Sequence, residues 1–189
     1  VINEVATGSA QSMSIAEVPA NNLTATRLGI RTLSASTPIT DFNNGKGVQV
    51  VDGVINPVTK TADPELNYDF KITLGNAVPG AEVKVDLRPQ DMTSVQTVLA
   101  RINSEIGTQL TAQGLQATDL VAQLADGQNG ITLVQNPGFG MAVSVTQANN
   151  STAAAQLGLL NGQFNYGNNT FYGTDTATVR VDSLMSYLI

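Results

Sequence analysis

Few residues in this chain have types and spacing suited to chemistry. Asp63, Glu65 and Asp69 lie close together and carry the carboxylate oxygens that a hard cation such as calcium takes as ligands. The Gly-punctuated spacing of a calcium loop is missing, so a solvated acidic loop is the simpler reading. Asp126 and Asn129 offer a second pair of oxygens, but in so short a Gly-bounded stretch a hairpin turn is the simpler reading. The third group is aromatic. Phe164, Tyr166, Phe171 and Tyr172 alternate with Asn and Gly over residues 161–173, which read as a polar loop. Such rings can stack on sugars or bury at a protein interface, and a loop folded back onto its own domain explains them equally well. These four residues are the candidate interface.

The chain has no Cys and no His. That excludes disulfides, thiolate zinc sites, Cys nucleophiles and a Ser-His-Asp arrangement, and it removes the commonest general base at neutral pH. No Gly-rich phosphate loop precedes a helix. The reading is therefore not an enzyme, with no catalytic, cofactor-binding or metal residue assigned. Of 189 residues, 42% are hydrophobic and only 13% charged, which describes a folded chain with an uncharged surface rich in Asn, Gln, Ser and Thr. The net charge is -6 and the Lys and Arg residues are scattered, which argues against nucleic acid as a partner. No apolar run is long enough to span a membrane, and residues 1–10 lack the charged and apolar regions of a signal peptide. The chain begins without Met and stops at Tyr187, Leu188, Ile189 within an apolar pattern, so it reads as a segment of a longer protein.

The element that must organise these residues is a helix. Val95, Val98, Leu99, Ile102 and Ile106 form an apolar stripe at helical spacing, with Arg101, Ser104 and Glu105 on the face turned to water. Thr93 with Gln96 is the expected capping pair, and Gly114 the expected stop, with the helix continuing through Gly107 to about Gln113. Alternation predicts a hairpin from residues 70–74 and 82–87, and further strands at 47–51, 119–125, 131–134, 141–145 and 178–182. The expected fold is α+β: one main amphipathic helix packed on mainly antiparallel strands, β-rich overall. Residues 1–22 read as an extended lead-in, 23–182 as a single domain, and 183–189 as the start of a helix. A faint recurrence links residues 21–30 with 149–159, too few copies for a solenoid.

Several pieces, taken in order, resemble the flagellin hook IN motif. They are Asp86-Leu87, Thr93-Ser94-Val95-Gln96, Val98-Leu99-Ala100-Arg101-Ile102-Asn103, Asp126 with Gly130-Ile131-Thr132-Leu133, and Ala154-Ala155-Gln156-Leu157-Gly158-Leu159. This module occurs in the outer domains of flagellar hook-associated proteins, and residues 179–189 resemble the point where such a chain re-enters its rod helix. The acidic, Pro-containing stretch over residues 54–67 is not part of the motif, and the helix is longer than the usual module's.

The resemblance implies a structural subunit of the bacterial flagellum, an outward-facing domain at the hook-filament junction. It implies an extracellular protein, exported unfolded through the flagellar secretion channel. The implied partners are flagellin and the other hook-associated proteins, with neither nucleic acid nor membrane, no cofactor, and an isolated domain that is monomeric. The alternatives are the filament cap protein, or a glycan- or protein-binding module of a secreted bacterial adhesin using the aromatic residues. Asn-x-Ser/Thr triplets begin at Asn22, Asn149 and Asn168, and in such a protein they are weak evidence of glycosylation.

Overall fold

The computed structural model describes residues 2–7, 10–15, 24, 33–75, 80–126 and 129–176. Strands β1 (Ile2–Thr7) and β2 (Ala10–Ile15) pair antiparallel with each other, Ile2 opposite Ile15. The body of the fold has one long helix and two antiparallel sheets, an α+β architecture with comparable amounts of helix and strand. The first sheet has the order β4-β3-β7, from Ala81–Val85, Phe70–Leu74 and Val143–Gln147. The second has the order β5-β6-β9-β8, from Leu120–Leu124, Ile131–Gln135, Thr170–Tyr172 and Gln163–Asn165. Among the described residues three single-turn helices, α1 (Phe42–Gly45), α2 (Pro64–Asn67) and α4 (Ala153–Gln156), accompany the long helix α3 (Val95–Ala112).

Period-two burial sets the first sheet. Phe70, Ile72 and Leu74 are fully buried and face Val85, Val83 and Ala81 on β4, while Lys71 and Lys84 pair on the other side. The third strand of this sheet begins two residues later than alternation suggests, at Val143, and returns to β3 with Ile72 opposite Val145. The expected strand over residues 47–51 does not form. Its backbone is held by side chains instead: Gln49 N–H donates to Gln156 Oε1 at 2.7 Å, and Val51 N–H to Asp69 Oδ1 at 2.8 Å. The expected strand at 178–182, the helix start at 183–189 and the first copy of the recurrence at 21–30, apart from Thr24, lie outside the described residues.

Helix α3 buries Val95, Val98, Ile102, Ile106 and Leu110 completely, one side chain per turn, and each contributes about 1.5–3 kcal/mol by leaving water. Its start differs from the expected one by a residue. Ser94, not Thr93, is extended at φ -149° and accepts from Thr97 N–H at 3.3 Å, while Thr97 Oγ1 accepts from Ser94 N–H at 3.0 Å. The reason is tertiary. Val95 and Gln96 N–H donate to the carbonyls of Thr37 and Ala35, so an upstream segment satisfies the first free amides and fixes where the helix begins. At the other end Gly114 takes φ +79° and Leu115 N–H returns to Leu110 C=O at 2.9 Å, the left-handed stop that glycine permits.

Candidate functional site

The aromatic stretch is a hairpin, not the expected loop. Strands β8 and β9 pair with Phe164 opposite Phe171 and Gln163 opposite Tyr172, and β9 continues the sheet through Leu133 opposite Phe171. The four candidate interface residues are thereby divided. Phe171 is core, 2% exposed, and Phe164 is half-buried against the same core. Tyr172 is partly buried and its hydroxyl accepts from Asn168 Nδ2 at 2.6 Å. Tyr166 stands at the turn, 65% exposed, with its ring edge-to-face on Phe164 at 4.9 Å and 88°. The turn is tied from within and from behind: Gly167 N–H donates to Asn165 Oδ1 at 2.8 Å, Thr170 Oγ1 to Asn168 C=O at 3.0 Å, and Gln135 N–H to Asn169 C=O at 2.9 Å.

The acidic residues do not converge. Asp63 caps α2 by accepting from Glu65 N–H at 3.0 Å, and its other oxygen accepts from Asn56 Nδ2 at 2.8 Å. Glu65 pairs with Lys84 Nζ at 2.6 Å, which holds that ammonium's pKa above its ordinary value. Asp69 corrects the picture of a solvated acidic loop, because it is fully buried. It accepts from Val51 N–H, Leu87 N–H and Ser151 Oγ, at 2.8, 2.9 and 2.6 Å. Burial pushes its carboxyl up from the ordinary 3.8; the three donors pull it down, and neighbouring Asp86 adds to the rise. Asn129 closes the β5–β6 end by accepting from Leu33 N–H at its side chain and from Thr176 N–H at its carbonyl. Among the described residues no group of three or more acidic side chains is arranged to hold a metal ion, and no helix is long and apolar enough to cross a membrane.

The polar face of α3 carries contacts that residue spacing did not reveal. Arg101 and Glu105 are not turned to water: Arg101 is 18% exposed and reaches Glu105 at 2.6 Å, Asp86 Oδ2 at 3.2 Å and Asp91 at 3.6 Å, and it donates to Asp86 C=O at 2.7 Å. Three amides on this helix and its C-cap complete one edge of each sheet, β4 of the first and β5 of the second. Gln109 accepts from Lys84 N–H at 2.8 Å and donates to Lys84 C=O at 2.7 Å; Gln113 does the same with Glu82 at 3.1 and 2.8 Å. On the other side Asn103 accepts from Ala122 N–H at 2.7 Å and donates to Ala122 C=O at 2.9 Å. Each pair imitates one rung of a β-ladder, so α3 takes the place of a neighbouring strand for β4 and for β5. The signal in the sequence was three carboxamides beside the apolar stripe of a single helix.

The stretch over residues 153–159 also has a physical role. Ala153, Ala154, Leu157 and Leu159 are buried, and Gly158, at φ +75°, lies so close to Thr174 that a Cβ would collide with the Thr174 carbonyl. Gly158 C=O accepts from Thr174 N–H at 2.8 Å, which stitches this turn to the end of β9. No family model matches the chain, and no curated protein and no solved structure matches it either.

Proposed function

We propose that this chain is the outward-facing domain of a flagellar hook-associated protein, a structural subunit of the hook-filament junction next to the filament. The observation that carries the reading is the position of the residues in the resemblance. Arg101 and Asn103 bind the long helix to Asp86 and to β5, and Gly158 binds the closing turn to β9. They are joints of one unit, and that supports reading the pieces of the resemblance together as one module. In this role the domain performs no catalysis. It travels unfolded through the export channel, folds outside the cell and projects from the tube while other parts of the subunit contact flagellin and the other hook-associated proteins.

An epitope inserted in the exposed turn at residues 57–60 of the full-length protein provides the test. Immunogold labelling of isolated flagella from the source bacterium is expected to give one band where hook meets filament. Label along the cell surface, at the filament tip, or absent from flagella overturns the assignment. The isolated chain is expected to sediment as a monomer, and ring formation by it would oppose a merely projecting role.

A further inference from the structure

The sequence holds three Asn-Gly pairs, Asn44-Gly45, Asn129-Gly130 and Asn161-Gly162, and the fold treats the last two differently. We infer that Asn161 is a site of spontaneous covalent modification, converting to aspartate and isoaspartate without an enzyme. The reaction needs a carboxamide free to turn, a following amide nitrogen within its reach, and no side chain on the next residue to block the approach. Asn161 is exposed in the turn between Leu159 and β8, and its side chain has no partner among the described residues. The Gly162 N–H reaches the Leu159 carbonyl only at 3.4 Å, longer than an ordinary N–H···O bond, so this nitrogen is weakly held. Packing fixes glycine at 162, because a Cβ there would collide with the Phe171 ring and the Tyr172 carbonyl. The labile pair is therefore built into the way the chain enters β8 alongside β9.

The Gly162 nitrogen attacks Cγ of Asn161. An N–Cγ bond forms, the Cγ–Nδ2 bond breaks, and ammonia leaves with the proton that the Gly162 nitrogen has lost. Water then opens the five-membered succinimide, at Cγ to give aspartate or at the main-chain carbonyl to give isoaspartate, whose backbone is longer by one CH2. Hydroxide promotes loss of the Gly162 proton, so the rate rises with pH. Asn129 is held against the same step. Its Oδ1 accepts from Leu33 N–H at 2.9 Å, its N–H donates to Asp175 Oδ1 at 3.1 Å, and its carbonyl accepts from Thr176 N–H at 2.8 Å. The Asn129 carboxamide must release Leu33 before Cγ can turn to Gly130, and that lost hydrogen bond slows the reaction about tenfold or more. Residues 127–174 contain no Asp, Glu, Lys or Arg, so conversion of Asn161 gives this span its first charge, beside the outer strand of the four-strand sheet.

The test is timed incubation of the purified 189-residue chain at neutral and at mildly alkaline pH, folded and in guanidinium chloride, followed by digestion and peptide mass mapping with isoaspartate-sensitive fragmentation. In the folded chain the peptide carrying Asn161 is expected to gain one mass unit about tenfold faster, or more, than the peptide carrying Asn129, with isoaspartate at 161 and a higher rate at the higher pH. In guanidinium chloride the two rates are expected to converge, because unfolding removes the contacts that distinguish the two pairs. Asn161→Gln, whose side chain is one CH2 too long to close the five-membered ring, is expected to stay unconverted at 161 over the same period. No isoaspartate at 161, equal rates at 161 and 129 in the folded chain, a rate at 161 indifferent to pH, or a difference that persists after unfolding overturns the assignment.

Discussion

Asn103→Ala tests the structural logic of the long helix. The Asn103 carboxamide makes two hydrogen bonds to one residue, Ala122, at 2.7 and 2.9 Å, and Ala122 is 3% exposed. Truncation leaves a buried N–H and a buried C=O unpaired, at about 1–3 kcal/mol each, partly offset by water entering beside the shortened side chain. Alanine returns roughly 0.5 kcal/mol through its better helix propensity. The expected net loss is about 2–3 kcal/mol, which for a domain of this size lowers Tm by about 4–12 °C. Thermal unfolding followed by circular dichroism reads the shift, with Ser104→Ala, its exposed neighbour, as the control. Hydrogen exchange at the Ala122 amide gives a local reading, which is expected to accelerate in Asn103→Ala alone. A Tm within about 1 °C of wild type, with Ala122 still protected, would refute the edge-completing role.

Asp69→Asn places an NH2 against donors that require an acceptor, so it is expected to cost about 1–3 kcal/mol in urea unfolding at neutral pH. Its pH dependence has a definite sign. Because burial raises the native carboxyl above the ordinary 3.8, the native state holds this proton more tightly than the unfolded chain. The Asp69 contribution to stability therefore rises as pH falls from the raised native value toward 3.8, and the gap between wild type and Asp69→Asn should widen over that window; a gap that narrows opposes the assignment. Arg101→Met leaves Asp86, Asp91 and Glu105 facing one another without their shared cation, and about 2–4 kcal/mol should be lost, with partial recovery in high salt. Salt-independent loss would point to packing. Gly158→Ala meets both a left-handed φ and the Thr174 carbonyl, and denaturant unfolding should show a loss above about 2 kcal/mol; a neutral result would mean that this turn is loosely joined to β9.

Elements governed by local pattern were legible in the sequence. The stripe from Val95 to Leu110, the alternation in β3 and β4, and the Gly114 stop all follow from spacing and backbone preference. What escaped depends on partners distant in the chain. Thr93 and Ser94 are equally good caps by type, and Thr37 and Ala35 decide between them. Residues 47–51 alternate like a strand, yet Asp69 and Gln156 satisfy their amides before any strand can. Asn103 lies off the apolar stripe, and the partner that gives it a role is nineteen positions away on β5. The aromatic stretch conceals its strands for the opposite reason: its turn is rich in Asn and Gly, which hides two very short strands, and only pairing with β6 makes them a sheet.

The three carboxamides on the long helix have a consequence for the conditions the protein can endure. Many sheets protect an open edge with lysine or glutamate, and such charges fade as ionic strength rises or as carboxylates take up protons. Asn103, Gln109 and Gln113 neither titrate nor attract counterions. Their hold on β4 and β5 therefore rests on neither charge nor ionic strength, and these two edges remain guarded against strand addition while the helix itself stays folded.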